Sequence, residues 1–365
     1  VSMAARFCTE HSLAAGEPLA GWGAHQARNV LIRWPKAKWR HSLRIAADMD
    51  EATEAAIGRV VEAGWRVNLI DRKGAGTDRI GAFVFPGALA FDLAPDDLPA
   101  FLGAVTGGVA ALARFRPRPA SRPLVLCCTH GKHDRCCAKW GFAVYQALAK
   151  SPEAGDFDIW EVTHLGGCRL SAGVLVLPAM RKYGRVCPSD APALLDTERR
   201  GLPYLPCYRG ASHLPPPAQV AEVTGLRHLA AEGIRGTALV QETGPALYAV
   251  TVRGAVAEIR VEPGETFSYG ACTDLHARKP LEPTTVWRGT LAGSTSPGTG
   301  RPDASHPDPQ SERKTDDPPD PRHPAGAWRR TRRCTGLRAR AARLRPCGGR
   351  NLHPGRPAAH RVAAR

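Results

Sequence analysis

The amino-acid sequence predicts an α/β protein: two α/β units, a small α+β appendage and a disordered C-terminal tail. Three observations lead there. Short apolar strand-like runs alternate with stretches at helical spacing. That alternation restarts after an Arg/Pro-rich join at 114–119. The last part loses all periodicity and fills with Pro, Gly, Ser and Arg.

The first unit spans 1–118. Residues 29–34 (NVLIRW), 65–71 (WRVNLID) and 82–86 (AFVFP) read as strands. Residues 51–63 read as a helix, with Ile57, Val60 and Val61 on one face and Gly64 as its stop. A second helix follows Asp96 and Asp97, a suitable capping pair. Along it Leu98, Phe101, Leu102, Val105, Val109 and Leu112 repeat at helical spacing. This unit has only Cys8 and no evident catalytic set, so it is either a degenerate partner of the second unit or a docking platform.

The second unit spans 119–212. A strand at 124–126 leads into a cysteine-rich loop, a helix over 138–150, strands at 157–163 and 174–177, and a helix over 190–199. Strand–helix–strand–strand–helix suits a thioredoxin-like layer. The fold class is therefore two thioredoxin-like α/β units, although no internal repeat is evident in the sequence. Pro215-Pro216-Pro217 marks the next join. A helix at 218–231 and strands at 246–253 and 255–261 form the appendage, 213–287. Residues 288–365 are the basic tail.

The net charge of +16 suggests nucleic-acid binding, but its distribution argues otherwise. Residues 322–365 hold thirteen arginines and no acid, so the rest of the chain is nearly neutral. The tail has one aromatic, Trp328, to stack bases, and nucleic acid is expected only as a non-specific partner of this segment. Ala, Gly, Arg and Pro all use GC-rich codons, so the segment after about 288 also reads as a frameshifted or added extension. No apolar run approaches the roughly 20 residues that span a bilayer. The first residues lack the charged-then-apolar order of a secretory signal. A cytoplasmic protein with no membrane contact is the expectation.

Eleven cysteines in such a chain point to metal or redox use where they cluster. Cys127, Cys128, Cys136, Cys137 and Cys168 do so. The first four bracket a polar loop, CCTHGKHDRCC, between a strand and a helix. Thiolates suit iron–sulfur clusters and zinc alike. Gly131 would relax the bend that aims two thiolates at one point. Further on, His164-Leu165-Gly166-Gly167-Cys168 offers a histidine and a cysteine four apart, with two glycines to allow close backbone approach. The chain thus carries C-x8-C followed by H-x3-C at two strand ends.

The segments CTHGKHDRCC, WEVTHLGGC and LVLPAMRKYGR resemble the sucrase/ferredoxin-like family, thioredoxin-like [2Fe–2S] proteins with fungal members. ARFC at 5–8, YRGASHLPPPAQVAEV at 208–223 and YGACTD at 269–274 extend the resemblance to roughly residues 4–287. In fungal relatives C-x8-C is followed by H-x3-H, giving two cysteine and two histidine ligands. The resemblance therefore implies a [2Fe–2S] cluster on Cys128, Cys137, His164 and Cys168, with Cys168 where the relatives have a second histidine. Each imidazole replaced by thiolate adds a negative charge, which opposes electron uptake and lowers the potential. His164 also offers protonation at its distal ring nitrogen, coupled to electron transfer.

The implied function is electron transfer with a redox partner protein, not stand-alone catalysis. Despite the family's name no carboxylate pair suited to glycoside hydrolysis stands out, and Glu161 reads as a neighbour of His164. The alternatives are a structural zinc site on the same residues and thiol–disulfide chemistry. The latter usually needs C-x-x-C, which the chain lacks. Cys127 and Cys136 read as buried apolar cysteines or as alternate ligands. His130 and His133 read as polar neighbours of the site or as solvent-facing residues. Arg169, Lys182, Tyr183 and Arg185 read as a docking patch or a solvated loop.

Overall fold

The helix Cys8–Ala14 (α1) precedes the first strand, Asn29–Arg33 (β1), in the computed structural model, which describes residues 6–74, 76 and 78–292. Then come the helix Glu51–Glu62 (α2), strands Arg66–Asp71 (β2), Ile80–Phe85 (β3) and Leu89–Leu93 (β4), helices Leu98–Val105 (α3) and Gly108–Leu112 (α4), and the short strand Arg118–Pro119 (β5). Asp50 caps α2, its carboxylate accepting from the Thr53 amide at 2.7 Å. Asp96 and Asp97 instead sit in a 3₁₀ turn and cap nothing. The helix expected to run through Leu112 breaks at Thr106-Gly107, because Gly108 adopts φ +82°.

The second unit contains Leu124–Cys128 (β6), Phe142–Lys150 (α5), Asp158–Val162 (β7), Val174–Leu177 (β8), Arg181–Tyr183 (β9), Ala191–Arg199 (α6) and Tyr208–Ala211 (β10). In this unit the strand order is β7-β6-β8-β9, with β6 parallel to β7 and antiparallel to β8, and β8 antiparallel to β9. The first unit has β2-β1-β3-β4 with the same directions. Both are the thioredoxin-like arrangement, so the chain contains a structural repeat that its sequence does not display.

The two halves meet where β2 pairs antiparallel with β7, Ile70 opposite Val162. The result is one ten-stranded sheet, β10-β9-β8-β6-β7-β2-β1-β3-β4-β5. Side chains alternate along it. Val30, Ile32, Val67 and Leu69 face α2 and α3, and Val125, Val174 and Val176 face α5 and α6. On the opposite face Leu31, Ile70, Phe83, Leu124, Leu126, Trp160, Val162 and Leu175 form one apolar layer shared by both halves.

The remaining elements are Pro216–Ala231 (α7), Leu239–Gly244 (β11), Leu247–Val252 (β12), Ala255–Thr266 (β13), Cys272–His276 (α8) and Thr284–Leu291 (β14). Strands β11 to β14 form a four-stranded antiparallel sheet whose apolar face packs on α7 and joins the α5–α6 core. β14 runs to Leu291, opposite Ile259, beyond the point near 288 where the sequence loses periodicity. The rest of the basic tail lies outside the described residues. No helix among the described residues is long and apolar enough to cross a membrane.

Candidate metal centre

Parallel pairing puts the ends of β6 and β7 side by side, with Cys128 opposite Val162. Cys128 therefore ends one strand two residues from where His164 leaves the next. The loop after β6 turns back through Cys136 and Cys137 into a π-helical turn, Cys137–Gly141, that opens α5. Such turns recur at functional sites. Gly141 makes this possible, since a Cβ there would lie 2.0 Å from the Cys128 carbonyl oxygen. Gly131 adopts no left-handed φ; it is needed because a Cβ would meet that of Ala138 at 2.8 Å.

The four residues expected to hold a cluster form a string. Cys128 and Cys137 are close enough for the Cys137 thiol to raise the Cys128 thiol, Cys137 Sγ lies 3.9 Å from Cys168 Sγ, and Cys168 Sγ lies 3.2 Å from His164 Nδ1. The three cysteines are buried and His164 is half-buried at the rim. The Cys137 thiol and burial push Cys128 well up, while the amides of His130 and Leu165 pull it down. Burial, with His133 and Arg66 adding, brings His164 down to about 3, so its imidazole is in the neutral form that ligates.

The surroundings are rich in cations. Lys182 is buried, and burial with Arg209 and Arg66 lowers it well below its usual value, while the Cys128 and Cys168 thiols act the other way. Burial and Arg169 bring Arg209 down to about 9, and its Nε has no partner. Burial and Arg44 bring Arg66 to about 10. Buried cations of this kind need a buried anion. Gly166 and Gly167 have φ of +90° and +76°, and a Cβ on Gly167 would meet Arg209 Nη2 at 2.8 Å. The glycines thus let the His164–Cys168 turn rest on Lys182 and Arg209. The donor set and its positive surroundings fit a metal–thiolate group of net negative charge.

The first half of the molecule clamps this site. Asn68 Nδ2 donates to the Thr163 hydroxyl at 3.0 Å and the His164 carbonyl at 3.1 Å, and Arg66 donates to that carbonyl as well. Thr163 Oγ1 donates to Leu43 O at 2.6 Å, and Lys132 Nζ to Trp39 O at 2.6 Å. His130 Nε2 lies 2.6 Å from Arg40 O. These contacts join segments about a hundred residues apart, and nothing in the sequence marks them.

The fold separates the neighbours of the string, and Cys127 takes the first of its two readings, a buried core cysteine. Cys127 faces the opposite side of the sheet, in the α5 core, and donates to Gly141 O at 3.3 Å. Cys136 joins neither the string nor that core; it contacts Cys8 and Cys272. Glu161 pairs with Lys36 and shares the Cys127 side, because alternation turns it away from the string. Lys182 and Tyr183 are buried, so the suggested docking patch is largely internal. Arg169 pairs with Glu17 at 2.8 Å and lies over Trp22. His133 continues the site outward: its ring is 4.0 Å from that of His164 and 5.0 Å from that of exposed His41.

The comparisons with known proteins agree with the motifs. A model of the sucrase/ferredoxin-like family matches residues 19–210. The chain belongs to the sucrase/ferredoxin-like family. No curated protein matches it significantly. Among solved structures, part of the chain is similar to a thioredoxin-like [2Fe–2S] ferredoxin from Aquifex aeolicus at 21% identity, with a TM-score of 0.23, covering 26% of this chain and 96% of that one. A second structure, of the wild-type ferredoxin, gives 20% identity, a TM-score of 0.22, and coverage of 24% and 95%. The thioredoxin-like character of this family member rests on its own strand order and directions.

Proposed function

We propose that this protein transfers single electrons with a [2Fe–2S] cluster held by Cys128 and Cys137 from the loop and by His164 and Cys168 from the turn. The observation that carries the reading is the string of four donors beside the buried cations Lys182 and Arg209 and the half-buried Arg66. Its two pairs come from two strand ends, and a two-iron core takes two pairs of ligands. The cluster would supply a one-electron couple. The chain's own residues do the rest. Lys182 and Arg209 offset the negative charge of three thiolates, which favours uptake of an electron. The amides of His130 and Leu165 donate to Cys128. His164 Nδ1 faces Cys168, which leaves Nε2 as the distal nitrogen that would take a proton. The row His164, His133, His41 leads from the donors to solvent, and a redox partner protein would dock there.

Anaerobic purification with iron, sulfide and zinc analysis tests this, with EPR of the dithionite-reduced sample. Equal iron and sulfide, a red-brown colour and a reduced-state signal are expected. His133, His164 and Cys168, whose ligand atoms lie within 4.8 Å of one another, also suit one zinc ion. A colourless protein whose metal is zinc, lost on Cys168→Ser, would replace the cluster reading with a structural site.

A further inference from the structure

A second group of thiols lies beside the first, built from the two ends of the folded region. Cys8 is in α1, Cys136 in the loop after β6 and Cys272 at the start of α8. Their sulfurs form a triangle: Cys8 to Cys136 is 3.3 Å, Cys136 to Cys272 is 3.3 Å, and Cys272 to Cys8 is 3.7 Å. Asp134 completes the group, with Oδ2 4.0 Å from Cys8 Sγ. The four donor atoms lie within 4.8 Å of one another, and all four residues are buried.

We propose that Cys8, Cys136, Cys272 and Asp134 bind one zinc ion, separate from the electron-transfer site. Zn–S bonds of about 2.3 Å at tetrahedral angles set thiolates about 3.8 Å apart. The observed triangle is that size or slightly smaller, which suits a single ion. Asp134 is already oriented: its two oxygens accept from the amides of Cys136 and Cys272, each at 2.8 Å. A carboxylate fixed in this way, beside three thiols, is a preformed oxygen ligand. Arg135 and Lys139 lie over the ring of Phe7, the residue before Cys8.

The site has a structural purpose. Helix α1 has seven residues and α8 has five, too few to be stable alone. Both lie on the sheet face that holds the cluster loop. Apart from the thiols, a few ring contacts and polar contacts tie them there: the Phe7 ring lies 4.8 Å from that of Trp140, and the His11 ring 4.8 Å from that of Tyr269. Ser12 and Ser268 both donate to Glu17, and Thr9 Oγ1 donates to the Cys168 carbonyl at 3.2 Å. One zinc ion would join three segments separated by 128 and 136 positions. It would also fix the backbone at Cys136, and with it the neighbouring Cys137.

Metal analysis of the full chain, purified in reducing buffer, tests the proposal without depending on the cluster. About one zinc per chain is expected, retained in Cys168→Ser, whose electron-transfer site is disabled. Cys272→Ser and Cys8→Ser should lose that zinc. Cobalt loaded into Cys168→Ser should give the intense thiolate charge-transfer and tetrahedral bands of a three-thiolate site. Wild-type protein without zinc would overturn the proposal, whether or not the variants fold. So would zinc that leaves with Cys168→Ser, or an intact mass showing a disulfide within the triad.

Discussion

Cys136 and Cys137 are consecutive in the chain and belong to different groups: Cys136 Sγ is 3.3 Å from Cys272 Sγ, whereas Cys137 Sγ is 3.9 Å from Cys168 Sγ. The turn that opens α5 divides its thiols between the two. The pair before it is divided as well, since strand alternation sends Cys127 and Cys128 to opposite faces of the sheet.

Substitution of the β6 pair should therefore give opposite results. Cys128→Ala is expected to abolish iron binding. Cys127→Ala removes a small core side chain, costs about 1 kcal/mol of stability and keeps the iron. Iron and sulfide content with a urea denaturation curve checks both, and iron loss in Cys127→Ala would show the ligand assignment to be wrong.

The redox potential should move in two directions. Cys168→His removes a negative charge from the ligand set and is expected to raise it. Lys182→Met removes a buried positive charge and is expected to lower it. At an effective dielectric of about 20 and roughly 8 Å, one charge is worth about 2 kcal/mol, on the order of 50–100 mV. Potentiometric titration of each variant measures this, and an unchanged potential in Lys182→Met would remove the cations from the account.

Asn68 lies in the half without the proposed cluster ligands, yet it holds the His164 turn. Asn68→Ala leaves buried acceptors at Thr163 and His164 with fewer donors and should cost about 1–3 kcal/mol. Bleaching of the cluster's visible absorbance in air should be faster than in wild type. Equal bleaching rates would mean that the first half does not stabilise the turn.

Stability should fall on acidification partly through His25. This residue is half-buried, with Nε2 2.8 Å from Asn29 Oδ1, and desolvation, with Arg66 and Lys182 facing it, lowers its pKa well below the usual 6.5. The unfolded chain therefore takes up this proton first as pH falls. The contribution of His25 is complete above about 6.5 and declines below it, towards the lower folded value. The urea midpoint should drop between about pH 7.5 and about pH 5.5, and His25→Gln should reduce that drop. An identical drop in the variant would assign it to other groups.

Much of the candidate site is legible in the sequence because its donors come in two short motifs at the ends of apolar runs. C-x8-C and H-x3-C need only one parallel strand pair to bring them together. The clamp is not legible: Asn68 is 96 positions from His164, and the β2–β7 pairing that joins them depends on tertiary structure. The repeat is hidden for a similar reason, because strand order and direction leave little trace in side-chain patterns. The triad is half visible. ARFC and YGACTD each bring one cysteine, but only folding shows that they converge with Cys136 over separations of up to 264 positions. The buried Lys182 reads as a surface charge because an isolated lysine usually is one.

The antiparallel seam between β2 and β7 bears on how such a carrier meets its partners. Among the described residues one sheet runs through both halves, so the proposed redox centre would not swing on a hinge between them, as tethered carriers do when they shuttle between docking sites. A partner of the proposed kind would then come to a fixed rim where His41 of one half meets His133 of the other. Turnover would then be set by how often the right collision occurs, and selectivity by a surface that neither half displays alone.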